Sequence, residues 1–62
     1  MNDFETKYVR EIREALEKRT DLTERERHLL EYEIVHIEQG TVSLTGPHSV
    51  EDRLARLRNH YP

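Results

Sequence analysis

Cysteine is absent from this 62-residue sequence. No disulfide can therefore staple a chain whose length leaves it little apolar surface to set against its conformational entropy. That excludes the secreted, disulfide-rich mini-protein and favours a reducing, cytoplasmic setting. It also weakens the case for structural zinc, because the four histidines (His28, His36, His48, His60) lack the thiolates that commonly complete such sites. No glycine-rich phosphate loop is present, and Ser43 and Ser49 stand outside any nucleophile elbow. No apolar run approaches the length of a membrane span. The opening MNDFETKYVR is polar, unlike a signal peptide. A chain this short also struggles to enclose a ligand-sized pocket. These absences set the expectation of a protein that is no enzyme, binds no cofactor or small-molecule substrate, and has no membrane contact.

What is present is charge and periodicity. Charged residues make up 37% of the chain and apolar residues 34%, a balance shared by small helical proteins and disordered chains. Against disorder stand the scarcity of glycine and proline, two of each, and the regular recurrence of the apolar positions. The net charge of −3 is unevenly spread. Five acids and five bases in residues 1–19 cancel, six acids against two bases in residues 20–46 leave −4, and two acids against three bases in residues 47–62 leave +1. Only the last segment is basic, and only by one charge, so the field of the whole chain argues against strong phosphate binding.

Phe4, Tyr8, Ile12, Ala15 and Leu16 fall on one helical stripe with Val9 beside it. Asp3 can cap this first helix. Lys18 and Arg19 complement the dipole at its far end, which predicts a helix over about 3–19. Thr23 and Glu26 have capping-box spacing. Leu29, Leu30, Ile34 and Ile37 continue a 3.6-residue period to Gly40, a natural stop, so a second helix is predicted over about 24–38. The short linker makes the two an antiparallel hairpin. A loop follows at 39–48, where Val42 and Leu44 can fold back over the helices. Ser49 caps a third helix at about 50–60, with Val50, Leu54, Leu57 and Tyr61 as its stripe. The whole is a single all-α domain.

The stretch EYEIVHIEQG admits a rival reading. Ile34, Val35 and Ile37 are β-branched and TVSLT alternates, so residues 32–45 could form a β-hairpin in an α+β fold. Gln39–Gly40 is not among the strongest hairpin turns, and a strand there would cut the second helix to about two turns and waste its cap. The helix is the stronger reading. The same stretch holds Glu33 and His36 at the Glu-x-x-His spacing of di-iron helices, with Glu11 or Glu14 as a third ligand from the first helix. Chance supplies that spacing readily in a chain so rich in Glu and His, and Ile34 and Ile37 turn the pair away from the helix seam. No metal is expected.

LTERERHLL, Leu22 to Leu30, resembles the opening of the helix-turn-helix in LuxR-type regulators and in region 4 of sigma factors. That resemblance implies a tight turn and a recognition helix close behind, yet nine loop residues follow Gly40 here. Arg53, Arg56 and Arg58 on the third helix could nevertheless touch phosphates or bases, which keeps a DNA-binding regulator as the alternative function. The leading expectation comes from apolar surplus. Phe4, Tyr8, Val9, Tyr32, Val35 and Tyr61 exceed what three short helices need, and Tyr and Phe are favoured where a surface is half dry. They point to protein–protein interaction, as a homodimer or as an adaptor or regulator of a larger protein.

Overall fold

Asn2, rather than Asp3, starts the first helix. The structure, a computed structural model, describes residues 1–60, and its α1 runs Asp3–Lys18. The Asn2 side chain accepts from the Glu5 backbone N–H, and the Glu5 carboxylate accepts from the Asn2 backbone N–H, both at 2.8 Å. This reciprocal box needs a Glu or Gln three residues after the cap. Counting three from Asp3 reaches Thr6, which has no carboxylate to reach back, so the cap moves one residue upstream. At the other end Arg19 leaves the helix in extended conformation while its N–H still bonds the Ala15 carbonyl.

The second helix, α2 (Glu24–Gln39), is capped as its sequence predicts. Thr23 Oγ1 accepts from the Glu26 N–H at 3.1 Å, and Glu26 accepts from the Thr23 N–H at 3.0 Å. Gly40 closes it in the left-handed region, at φ 78°, where glycine carries no Cβ penalty. The N–H of Gly40 bonds the Ile37 carbonyl and that of Thr41 bonds the His36 carbonyl, the paired bonds of a Schellman motif. Residues 32–39 are therefore helical, and the described residues form no strand, so the β-hairpin alternative is not realised. The β-branched residues behave with a helical period: Ile34 and Ile37 are buried with Leu30 while Val35 is exposed.

The third helix, α3 (Val50–His60), is capped from two sides. Ser49 Oγ accepts from the Asp52 N–H. Glu11, on α1, accepts from the Val50 N–H at 2.8 Å, so α1 supplies a carboxylate to the positive end of α3. The antiparallel pair α1–α2 has the most extensive contact, and α3 packs chiefly on α1. Between these elements the chain returns through residues 41–49, where Leu44 is buried against the core.

Tyr8 and Val9 correct the expected surplus. Both are core residues, 1% and 4% exposed. Consecutive helical residues point about 100° apart, so burying both requires neighbours on two sides of α1. The packing of α2 and α3 on the same helix provides them. Ile12, Leu30 and Leu54 complete the most deeply buried set. Phe4, by contrast, is 44% exposed at the margin of its predicted stripe, and Tyr61 lies outside the described residues.

Truncating Leu54 to Ala removes a side chain that is 1% exposed. Such changes cost about 2–5 kcal/mol, against a total of about 3–9 kcal/mol expected for a chain this long. The urea midpoint of Leu54→Ala should fall by about a fifth or more. A midpoint equal to that of the parent chain would mean that α3 does not dock.

Candidate functional site

The polar groups between the helices come first, because they decide which charged residues remain for a partner. Glu33 of α2 accepts from the Tyr8 hydroxyl with one carboxylate oxygen and from Arg53 Nε with the other. One carboxylate thus joins all three helices. Burial first, and then the hydrogen bond to Glu33, hold the Tyr8 phenol well above its ordinary pKa of 10. Glu5, only 7% exposed, has two duties: besides its capping bond it accepts from the Leu44 N–H at 3.2 Å, while Asn2 Nδ2 donates to the Leu44 carbonyl at 2.8 Å. Bonds from the Asn2 and Leu44 N–H groups pull its pKa below 4.5.

A second cluster closes the end where α1 leads into α2. Arg58 donates to Glu26 through Nε at 2.9 Å and through Nη2 at 3.2 Å, and also reaches Asp21. Arg58 and the Thr23 N–H lower the Glu26 pKa. Arg19 grips Asp21 and also bonds Glu51. It is the main reason that Asp21 stays ionised far below its ordinary 3.8. Arg27 donates to the Leu16 carbonyl at 2.7 Å, satisfying one of the open carbonyls at the end of α1.

Against this scaffold the residues considered for chemistry separate. Both oxygens of Glu33 are engaged, and His36 turns elsewhere, its Nδ1 lying 2.8 Å from Thr41 Oγ1. The Thr41 hydroxyl gives its proton to the His36 carbonyl, so the ring must donate in return, which selects the Nδ1–H tautomer. Glu11 caps α3 and Glu14 pairs with Lys18. Among the described residues no group of three His, Asp or Glu side chains is arranged to hold a metal. The LTERERHLL stretch forms the cap and first turns of α2, and α3 begins ten residues after Gly40. Of the three arginines, Arg53 and Arg58 are tied to Glu33 and Glu26, while Arg56 is exposed.

Two surface features remain. The first is the outer face of α2, directed away from the core, where Tyr32 is 65% and Val35 45% exposed. The Tyr32 and His36 rings meet edge-on, with centroids 4.5 Å apart. The second is a cleft of about 370 Å³ between α2 and α3, lined by Arg25, Leu29, Arg53, Arg56, Leu57 and His60. Leu29, expected on the core stripe, is only half-buried and helps floor this cleft. Arg25 precedes Leu29 by four residues and so shares its face. That pairing is readable along α2, but its juxtaposition with Arg53 and Arg56 arises only when α3 docks.

The lowered carboxylates and the raised phenol set opposite pH limits. Glu5, Glu26 and Asp21 bind protons more weakly folded than unfolded, so the stability they contribute is present above about pH 4.5 and lost as pH falls through their lowered values. Tyr8 is the converse: its contribution is present below pH 10 and lost as pH rises beyond it. Thermal melts across pH should show both limbs. Tyr8→Phe should cost about 1.5–3 kcal/mol at neutral pH, the worth of a hydrogen bond to a charged acceptor, and flatten the alkaline limb. An alkaline limb as steep as that of the parent would refute the assignment.

Comparison of the chain with protein-family models, with curated proteins and with solved structures finds no match, so a functional reading rests on these residues alone.

Proposed function

We propose that this chain is a non-enzymatic protein–protein interaction module, acting as a homodimer or as an adaptor or regulator of a larger protein, and that it docks through the outer face of α2. Tyr32 carries the reading. Its ring is 65% exposed, yet the edge-on contact with His36 restrains it. Val35, one turn along on the same face, widens the apolar surface. A restrained aromatic side chain loses little entropy when a partner covers it, and Tyr is enriched among residues that dominate interface energy.

Arginine pairing favours protein over nucleic acid. A phosphate approaching α3 would compete with Glu33 for Arg53 and with Glu26 for Arg58, in a chain whose net charge is −3. DNA-binding proteins present their cations on an open basic face. Phe4, at 44% exposure on α1, is a separate exposed apolar side chain, while the burial of Tyr8 and Val9 takes them out of any partner surface.

The chain should sediment as a reversible dimer at micromolar concentration. Tyr32→Asp combined with Val35→Asp should give the monomer with its melting temperature changed by only a few degrees, since neither side chain belongs to the core. If the parent chain is monomeric up to millimolar concentration, a photo-crosslinking residue at position 32, in cells producing the protein, should capture a defined heterologous partner. A chain that is monomeric and cross-links to nothing overturns the reading.

A further inference from the structure

We infer that the cleft between α2 and α3 receives an acidic, leucine-like peptide segment of a partner protein. This occupant presupposes a protein partner, and it adds the chemistry by which the partner is recognised. The central cleft presents two materials side by side: an apolar floor from Leu29 and Leu57, and cationic walls from Arg25, Arg53 and Arg56, with His60 at one edge. Among the described residues no carboxylate lines this central part, although Glu33 holds Arg53 from behind. In an acid-rich chain this is a local reversal of sign, and complementary charge selects an anionic occupant.

The cleft continues in both directions. Leu29, Leu57 and Arg25 also line an adjoining hollow that reaches Thr23 and Glu26 at the start of α2. Arg53 and Arg56 also line another, which holds Asp52 and ends at Pro47, His48 and Ser49 beside the start of α3, so that Glu26 and Asp52 flank the cationic centre at its two ends. Together they form a groove along α3, whose 11 residues span about 16 Å at 1.5 Å each. An extended segment of about five residues covers that distance. A carboxylate at the middle of such a segment would meet Arg56, whose planar guanidinium group suits it, beside the Arg53 head that Glu33 holds, and its apolar side chains would rest on Leu29 and Leu57. A nucleic-acid backbone would use the arginines and leave the leucine floor unused, so the mixed lining favours peptide.

A titration of the isotopically labelled full chain with a short synthetic peptide of alternating Leu and Glu tests this by backbone amide shifts. The shifts should concentrate at Leu29, Arg53, Arg56 and Leu57. Arg56→Glu should weaken binding by about tenfold, the scale of one charge-assisted contact, without moving the melting temperature. A Leu–Lys peptide should give no response at these residues. Equal response to the two peptides, or shifts confined to other residues, overturns the assignment. So does duplex DNA moving the same amides when the acidic peptide does not, which would make the cleft a phosphate site. If position 32 yields a dimer or a cross-linked partner while the cleft amides stay still, the cleft assignment fails and the interaction module stands. If no protein partner is found at either surface, both fail together.

Discussion

The Glu33 carboxylate has one position in which it can accept from Tyr8 on α1 and from Arg53 on α3 at once. A helix pair stabilised only by apolar stripes can slide or rotate at little cost, because burial is roughly proportional to area and carries no direction. Hydrogen bonds to an ion are directional and costly to leave unmade in a partly dry site. Rotating α2 by one residue would carry Glu33 away from both partners and leave the Tyr8 hydroxyl buried without an acceptor. The partly buried polar triad thus chooses among packings that the apolar core alone would leave nearly equal. In a chain without disulfides this is the nearest thing to a fixed pin.

Two further carboxylates extend the same logic to the helix ends. Glu11 reaches from α1 to the first N–H of α3, and the Glu26 carboxylate accepts from both the Thr23 N–H at its own cap and Arg58 on α3. Helix ends have donors and acceptors to spare. Here those groups are matched by side chains from other helices, so capping and docking reinforce each other. The exposed pairs, such as Arg13 with Glu38 and Lys18 with Glu14, contribute much less, because solvent screens them.

How legible this was depended on the range of the interaction. Thr23 with Glu26, Gly40, and Ser49 are local signals, and the elements they bound appear where the sequence puts them. The one-residue shift from Asp3 to Asn2 was equally readable from the Glu5 spacing. Tyr8 and Val9 were not, because their burial depends on α1 having neighbours on two sides. A single stripe cannot reveal how many elements will pack on it. The pairing of Arg53 with Glu33, across 20 residues, and of Arg58 with Glu26, across 32, carries no periodic signature at all. The arginines therefore looked free in sequence, and the cleft beside them could not be seen until α2 and α3 were set side by side.

Glu5 gives the fold a mechanical linkage. The first turn of a helix near a chain end is ordinarily the cheapest part of a protein to open. Here the carboxylate that closes that turn also holds the Leu44 N–H, and the residue it caps, Asn2, holds the Leu44 carbonyl. Six residues beyond Leu44 the chain enters α3. Opening of the first turn therefore also frees both backbone groups of Leu44. A load applied ahead of Asn2 is transmitted across the domain to the root of α3, some 48 residues away along the chain.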